Sequence, residues 1–342
     1  MHRSLNPCPL CGSREAEPIA TEARDGSRLN SIACLGCALL RSDPIPSDSE
    51  LRGFYESSYR MSYKGVCEPK PRHVARGGYL AVARFRALSR YIRQTDRVLD
   101  IGSGGGEWLY LLKRKGVAAT GLDPDPGYAA FARRELYVDI LDGTVDDAEF
   151  APQSFQVVTL FHVLEHLRDP LGALKKCLGW LSEGGYLVVE VPNLASPHQH
   201  PRKRFHQAHL FGFVPATLSL AARKAGGYPL EVRTGRFSRN ITAIIGKSAS
   251  SRGVDSLSPE EVRGVLATVR PRTMFRYHAS PATFCRFALR MLQFTREQAT
   301  AWRKPHARQI LDSIMRDTED DPWDSPRRQV DYAESTALTR QR

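Results

Sequence analysis

Apolar positions in the middle of the chain alternate between two spacings, and this alternation predicts the fold. Runs of strand length at residues 97–101, 118–123, 155–161 and 184–192 are each followed by a turn or loop and then by a segment with helical spacing. This order is typical of a doubly wound α/β sheet. Two further apolar runs, 228–235 and 240–248, have no helix between them, which predicts an antiparallel pair of strands at the end of the domain.

The loop after the first strand, "VLDIGSGGGEW", indicates which ligand the sheet binds. Its glycines are Gly102, Gly104 and Gly106, and Glu107 stands where a dinucleotide-binding fingerprint has its third glycine. Asp100 and Glu107 would repel a pyrophosphate, whereas they would attract a ligand that carries an ammonium and a sulfonium. The loop therefore favours S-adenosylmethionine over a nicotinamide or flavin dinucleotide.

The second strand ends in an acid, Asp123, at the edge where doubly wound sheets bind their ligands. A carboxylate in this place suits the two hydroxyls of a ribose. The glycine loop, Asp100 and Asp123 together predict the binding site of a nucleoside cofactor.

Four cysteines near the N-terminus have the spacing of a metal site. "CPLCGS" contains Cys8 and Cys11, and "CLGCALL" contains Cys34 and Cys37. Two such knuckles bring four thiolates to the corners of a tetrahedron, and four thiolates leave zinc no open position for catalysis. A structural Zn²⁺ is therefore predicted, with a hairpin between the knuckles, and Cys67, Cys177 and Cys285 are expected to be reduced thiols.

The stretch "HVLEH" at residues 162–166 has the spelling of an inverted zinc-protease motif. That chemistry needs both histidines on one helix. Here a buried strand precedes the stretch, and Asp169 with Pro170 has the form of a helix N-cap and first helical position. The helix is therefore predicted to begin after the pentapeptide, which argues against a metallopeptidase.

The motifs "VLDIGSGGGEW", "GLDPDP", "VVTLFHVLEHLRDP" and "LSEGGYLVVEVPN" resemble, in order and spacing, those of class I S-adenosylmethionine-dependent methyltransferases. "CPLCGS…CLGCALLRSDPIPSDSELRGFYESSY" resembles the zinc-binding head of one branch of that superfamily, common in secondary metabolism and cell-surface glycan assembly. The resemblance implies a Rossmann-like, seven-stranded α/β sheet with an antiparallel last strand. It also implies S-adenosyl-L-methionine as cofactor.

The resemblance also implies roles for individual residues. Its motifs place the cofactor against the set Asp100, Gly102, Ser103, Gly104, Gly106, Asp123, Pro124, Thr144, Val145, Phe161 and His162. Within this set, Thr144 and Val145 would contact the purine. Phe161 and His162 would approach the sulfonium and the acceptor. Gln156 replaces an acid that the family usually has, a change expected to affect a local hydrogen bond.

Methyl transfer is an in-line displacement, so the enzyme mainly positions the acceptor and, where needed, removes its proton. The segment "LASPHQHPRKRFHQAHLFGF" supplies candidate groups, and His209 is the first candidate general base, ahead of His206 and His162. A sugar C-methyltransferase subgroup pairs such a histidine with an acid, but Ala208 stands in that place here. Oxygen, nitrogen and carbon therefore all stay open as the methylated atom.

The same segment and the preceding connector contain further candidates for acceptor binding. Tyr59 or Tyr63 of the connector would close the site. The basic run Arg202, Lys203 and Arg204 would either receive an anionic substrate or form a solvated loop.

Composition and charge limit the class of protein but do not identify the acceptor. The chain has 342 residues, 42% of them hydrophobic and 25% charged, and lacks an apolar leader or a long apolar span, so a cytoplasmic globular protein is expected. The formal net charge of +12 keeps open a scaffold protein that binds nucleic acid or protein, and also an RNA-directed methyltransferase. A small-molecule methyltransferase is the preferred interpretation.

The predicted organisation has five parts. They are a zinc-ribbon-like head (1–41), a connector with a helical cover (42–95), the methyltransferase domain (96–248), a helical extension (249–317) that would pack on the domain or form a homodimer, and a disordered tail (318–342). The cover is predicted as a helix over 77–94, and "SDSELRGFY" as the start of a short helix. A capping box is predicted from Ser258 to Glu261.

Overall fold

The computed structural model describes residues 2–4, 6–47, 49–50, 68–235, 239–247, 256–270, 281–302, 304 and 306–316. The predicted connector tyrosines Tyr59 and Tyr63, Cys67, most of the short connector helix and the tail lie outside the described residues.

Two sheets organise the described chain. The strands are β1 (His2–Arg3), β2 (Glu15–Glu22), β3 (Arg28–Cys34), β4 (Leu40–Ser42), β5 (Arg97–Ile101), β6 (Ala118–Asp123), β7 (Asp139–Asp142), β8 (Phe155–Phe161), β9 (Leu181–Pro192), β10 (Phe211–Gly212), β11 (Gly227–Arg233) and β12 (Asn240–Lys247). The larger sheet has seven strands in the order β11-β12-β9-β8-β5-β6-β7. Its last strand in sequence, β12, runs antiparallel to both neighbours, whereas β9, β8, β5, β6 and β7 are mutually parallel. The predicted sheet is confirmed.

Helices cover both faces of this sheet. They are α1 (Pro71–Leu88), α2 (Glu107–Arg114), α3 (Pro126–Leu136), α4 (Pro170–Trp180), α5 (Pro215–Lys224), α6 (Pro259–Val269), α7 (Pro281–Ala301) and α8 (Ala307–Met315). Alternate residues of the strands point to opposite layers. Val98 belongs to a core cluster that includes residues of α1, α2, α3 and α8, while Leu99 belongs to a second cluster that includes residues of α4, α5 and α6.

Several helix ends follow the predicted capping chemistry. The Asp169 carboxylate accepts the Gly172 N–H at the start of α4, with Pro170 as the first helical residue. Ser258 and Glu261 form the predicted capping box of α6. The cover helix α1 begins at Pro71, six residues before the predicted start. It ends at Leu88 because the chain tightens there into a 3-10 turn, Ser89–Tyr91.

The N-terminal head forms the second sheet, with the order β1-β2-β3-β4-β10. The predicted hairpin between the cysteine knuckles is β2 and β3. The fifth strand comes from elsewhere: β10 belongs to the segment between β9 and α5, residues 193–214, which we call the strap. Phe211 and Gly212 of the strap pair antiparallel with β4. The head and the strap that follows β9 of the seven-stranded sheet are thus joined by main-chain hydrogen bonds.

The C-terminal helices pack on the rest of the chain. Tyr110 of α2 donates to Asp312 of α8, and the Tyr79 and Thr300 hydroxyls of α1 and α7 lie 2.6 Å apart. The extension therefore covers α1 and α2, one of the two placements expected for it. In the described part of the chain, no helix combines the length and apolarity needed to cross a membrane.

Candidate functional site

The carboxyl ends of β5 and β6 place two acids beside the glycine loop. Asp100 and Asp123 are both 3% exposed. The Gly104 N–H donates to Asp123 Oδ2 at 2.7 Å, and the Asp125 N–H donates to Asp123 Oδ1 at 2.9 Å. A carboxylate has about four acceptor positions, so these bonds orient Asp123 and leave capacity for further donors.

The glycine loop leaves space and an unused polar atom where a ligand would lie. Gly104 has φ +55°, and in the described part of the chain nothing lies within 4 Å of the position that a Cβ would take there. The buried Ser103 hydroxyl has no hydrogen-bond partner among the described residues. An orphaned buried hydroxyl beside an open backbone cradle fits a polar ligand such as a nucleoside cofactor.

Opposing interactions act on the pKa of Asp100. Burial raises its pKa, and the nearby charges of Asp123 and Glu107 add to this effect. A 2.6 Å hydrogen bond from the Thr159 hydroxyl and the positive charge of Arg84 oppose it. The net result is a pKa raised from 3.8 to about 7. A cation bound here would favour the charged carboxylate.

At the end of the neighbouring strand β8, His162 lies between two carboxylates. Its Nδ1 is 3.2 Å from Glu165 Oε1, and its Nε2 is 3.3 Å from Glu190 Oε1. Burial opposes a charge on His162, but the bonds to both glutamates outweigh it and raise the pKa to about 9. His162 has φ +59°, an uncommon backbone conformation for a residue with a side chain.

Both glutamates are held as carboxylates. Burial would favour their neutral forms, but the hydrogen bond from His162 lowers the pKa of each to about 2, with help from Arg84 at Glu190. Arg84 donates to Glu190 Oε1 at 2.6 Å, and its guanidinium also lies 3.9 Å from the centroid of the Phe161 ring. A protonated His162 is suited to holding these charges and is a poor proton acceptor.

The strap brings two more histidines to the same edge. The ring of His209 meets that of His166 edge-on at 4.9 Å, and the ring of His206 lies 5.2 Å from that of His209. Burial, reinforced by the neighbouring His166, lowers the pKa of His209 to about 3. Burial together with Arg24 lowers that of His206 to about 4. Both rings are neutral at pH 7 but are weak bases, so their role as general base stays a prediction.

The pentapeptide "HVLEH" does not form a helical histidine pair. Residues 164–166 form a single 3-10 turn, and α4 begins at Pro170. His162 bonds to the glutamates, whereas His166 Nδ1 donates to the Ala208 carbonyl at 2.8 Å. The two histidines thus form hydrogen bonds with different partners.

The four head cysteines converge. Cys8 Sγ and Cys37 Sγ are 3.5 Å apart, and Cys11 Sγ and Cys34 Sγ are 3.4 Å apart. Tetrahedral zinc with bonds of about 2.3 Å separates its sulfur ligands by about 3.8 Å. The donor set and its spacing therefore fit a structural zinc ion. Cys177 is buried and Cys285 exposed, and neither is in a disulfide.

Three further residues were predicted to contact the cofactor: Pro124, Thr144 and Val145. Pro124 follows Asp123 at the end of β6, Val145 is 2% exposed, and the Thr144 hydroxyl donates to Asp147 at 2.7 Å. Their cofactor contacts stay predictions. Gln156 accepts the Arg97 N–H at 2.8 Å, the local role expected of it.

The prediction for Arg204 was wrong. It was expected either to receive an anionic substrate or to lie in a solvated loop, yet it is 6% exposed. Its guanidinium donates to the carbonyls of Leu194, Val269 and Arg270 at 2.6, 3.0 and 3.3 Å. Arg204 thereby joins the strap to the end of α6. Lys203 is exposed.

Three residues near His162, at the carboxyl end of β8, were not predicted from the sequence. Arg84 comes from α1, Glu190 from β9, and Asn240 from β12, where its Nδ2 lies 3.0 Å from His162 Nε2. A signal existed for Glu190, a single acid within the apolar run "YLVVEVP". Arg84 and Asn240 have no such signal, because one lies on a helix with many arginines and the other begins a strand.

Comparison with known proteins agrees with this geometry. Residues 73–228 match the family model described as "Methyltransferase domain". This part of the chain, slightly less than half of its 342 residues, is similar to a methyltransferase domain. The match begins within α1 and ends at β11, so it includes both the glycine loop and the strap.

Curated relatives match 28% of the chain. One is "Ubiquinone biosynthesis O-methyltransferase" of Xanthomonas campestris pv. campestris (strain B100), 36% identical over 103 residues, 28% of this chain and 43% of the relative. A protein of the same name from Vibrio cholerae serotype O1 is 33% identical over 103 residues, 28% of this chain and 42% of the relative. The chain thus spans less than half the length of these relatives.

Among solved structures, a SAM-dependent methyltransferase from Archaeoglobus fulgidus is similar to this chain. It is 21% identical, with a TM-score of 0.43, and the match covers 50% of this chain and 94% of that one.

Proposed function

We propose that this protein transfers a methyl group from S-adenosylmethionine to a small-molecule acceptor. The observation that supports this most directly is the edge formed by β5 and β6. There Asp100, Asp123 and the open backbone at Gly104 lie together, with the orphaned Ser103 hydroxyl beside them.

The charges of this edge distinguish the cofactor from its competitors. Asp100, Asp123 and Glu107 are acidic, and the first two are buried. A buried acidic edge disfavours a pyrophosphate, as in a nicotinamide dinucleotide, because like charges repel strongly in a medium of low dielectric constant. An ammonium and a sulfonium meet the opposite sign.

In this proposal Asp123 and Asp100 bind different parts of the cofactor. Asp123, fixed by the N–H groups of Gly104 and Asp125, accepts the ribose hydroxyls. Asp100 faces the positive end of the cofactor, and its raised pKa means that cation binding would release a proton near pH 7. Val145 and Thr144 border the purine. S-adenosylmethionine supplies an electrophilic methyl group, and the chain's own residues align the acceptor behind it.

An oxygen acceptor is favoured over nitrogen or carbon. The relatives from Xanthomonas and Vibrio are named O-methyltransferases. The histidine–acid pair of the sugar C-methyltransferase subgroup is incomplete here because Ala208 replaces the acid, and its carbonyl instead accepts from His166. We also infer that Cys8, Cys11, Cys34 and Cys37 hold a structural Zn²⁺.

Calorimetric titration of the full chain with S-adenosylmethionine tests the cofactor site. We expect binding in the micromolar range, and no binding of NAD. Asp123→Asn should weaken binding about 10- to 100-fold, because a hydrogen bond to a charged group contributes about 1.5–3 kcal/mol. Asp139→Asn is the matched control, since Asp139 is an exposed acid at the start of the neighbouring strand β7.

Folded, zinc-loaded protein that does not bind S-adenosylmethionine would overturn the proposal. Equal affinity in Asp123→Asn and Asp139→Asn would remove Asp123 from the site. A binding wild type justifies an acceptor screen that begins with phenols and nucleotide-linked sugars, with methyl transfer followed by mass spectrometry.

A further inference from the structure

A second group of metal-ligating side chains lies outside the cysteine head. Glu165 and His166 follow β8, and His209 comes from the strap, more than forty residues later in the chain. One carboxylate oxygen and two imidazole nitrogens from these residues lie within 4.8 Å of one another. Glu165 is 1% exposed, and the two histidines are half-buried.

The carboxylate of Glu165 is oriented but not fully used. Its Oε1 lies 3.2 Å from His162 Nδ1. Its Oε2 is buried and has no hydrogen-bond partner among the described residues. A buried carboxylate oxygen without a donor costs free energy unless something else binds it. A metal ion would supply that interaction.

His166 has the arrangement that metal-ligating histidines usually show. Such a histidine donates one ring N–H to a carbonyl or carboxylate, which fixes the tautomer and directs the other nitrogen to the metal. A carbonyl oxygen can only accept, so the 2.8 Å contact places the proton on His166 Nδ1. His166 Nε2 then lies on the side of Glu165, 3.9 Å from its Oε1.

The spacing of the three side chains is close to that of a coordinated set. Metal–ligand bonds of about 2.0–2.2 Å hold neighbouring donors about 3.0–3.5 Å apart. His166 Nε2 and Glu165 Oε1 are 3.9 Å apart, slightly above this range, and the donor atoms of all three residues lie within 4.8 Å of one another.

We propose that Glu165, His166 and His209 bind one divalent transition-metal ion. Two imidazoles and one carboxylate suit zinc or iron better than magnesium or calcium, which prefer oxygen ligands. Three protein ligands leave a coordination position open, in contrast to the closed set of four thiolates in the head.

The open position has a use in the proposed reaction, and this further step rests on the proposed function. A metal ion held by these residues would lower the pKa of an acceptor hydroxyl bound there, so that the hydroxyl would give its proton to water more easily. Its oxygen then forms a bond to the methyl carbon of the sulfonium. The carbon–sulfur bond breaks, and its electron pair stays on sulfur. Metal binding itself does not depend on this step.

Metal content of the full chain tests the site directly. Wild type, His209→Ala and Glu165→Gln are dialysed against Zn²⁺ and then against metal-free buffer, and zinc is counted by mass spectrometry. We expect two zinc ions per chain in wild type and one in each variant, since the cysteine head is untouched. His198→Ala, another half-buried histidine of the strap, is the matched control and should keep two.

One zinc ion per wild-type chain would overturn the inference, and so would two ions in His209→Ala. Glu165 is buried against His162, so Glu165→Gln counts only where circular dichroism shows a native fold; otherwise His209→Ala decides. Calorimetry on the same samples separates the two proposals. Two zinc ions without S-adenosylmethionine binding would support this site and overturn the methyl-transfer function.

Discussion

Two regions of this chain build a site in different ways. One is the carboxyl ends of β5 and β6 with the glycine loop, which we call the cofactor edge. The other is the strap together with the end of β8, which we call the strap site. The cofactor edge comes from a single stretch, residues 97–123, in which strand, glycine loop, helix and strand follow one another. The strap site draws on β8, on the strap and, through β10, on the N-terminal head. The first site is local in sequence, and the second depends on pairings between distant segments.

The two regions also differ in how their polar groups are satisfied. At the cofactor edge, Asp123 is held by backbone N–H groups from its own loop and strand end, so the local fold suffices to orient it. At the strap, His166 depends on the Ala208 carbonyl, and Arg204 depends on α6. Damage to the head or to α6 should therefore disturb the strap and spare the cofactor edge.

The largest expected effect tests this difference through the zinc head. Cys34→Ser should abolish zinc binding in the head and unfold β2 and β3, because metal binding in small zinc domains contributes about 10 kcal/mol or more. Hydrogen exchange should increase in β4 and β10, while the affinity for S-adenosylmethionine changes less than about threefold. Cys285→Ser, at an exposed cysteine of α7, is the control and should change neither.

A loss of cofactor affinity in Cys34→Ser as large as that in Asp123→Asn would contradict the independence of the two regions. Unchanged exchange in β10 would show instead that the strap holds its conformation without the head.

The next effect in size concerns Asp100. The unfolded chain ionises this carboxyl near pH 3.8 and the folded chain near pH 7, so the group lowers the free energy of unfolding as pH rises through that window. A shift of about 3 units corresponds to about 4 kcal/mol. Asp100→Asn removes this slope, so the variant should be more stable than wild type above pH 7 and should bind S-adenosylmethionine more weakly.

Urea unfolding of both proteins between pH 4 and pH 8 measures the difference. The advantage of the variant should shrink as pH falls from 7 toward 4, where the wild-type carboxyl is protonated in the folded state and about half ionised in the unfolded state. A constant difference across this range would show that Asp100 is ionised in the folded protein throughout.

A smaller effect is expected at Arg204. Arg204→Met leaves the carbonyls of Leu194, Val269 and Arg270 without their donor in a buried place and should destabilise the protein by about 2–3 kcal/mol. The same change at its exposed neighbour, Lys203→Met, should stay within about 0.5 kcal/mol. Urea unfolding measures both, and faster hydrogen exchange in α6 should accompany only the first. Equal effects would show that Arg204 does not hold α6.

The local region was the one that the sequence could predict. The β5 loop, Asp123 at the end of β6, the α4 cap at Asp169 and the cysteine knuckles all depend on residues close together in the chain, where spacing fixes geometry. The burial of Arg204, the pairing of β10 with β4 and the contact of Arg84 with Glu190 depend on segments that meet only in the folded state. Hydrophobic periodicity does not predict which distant segments come into contact. A basic run such as residues 202–204 has the composition of an exposed loop, so its sequence did not indicate that Arg204 is buried.

The smallest effect separates backbone strain from ligand contact. Gly104 and Gly226 have φ +55° and +90°, and in the described part of the chain nothing lies within 4 Å of a Cβ at either position. Alanine at each should therefore cost a similar free energy of unfolding, about 1 kcal/mol, for the left-handed backbone. Gly226 lies two residues after the end of α5, far along the chain from the glycine loop, whereas the space at Gly104 adjoins Ser103 and Asp123. Only Gly104→Ala should weaken S-adenosylmethionine binding, by about tenfold, because its methyl group enters the space proposed for the cofactor. Equal losses of stability with unequal losses of affinity, measured by urea unfolding and calorimetry, would assign the open cradle to the ligand; equal affinities would mean that the cofactor does not approach the loop at Gly104.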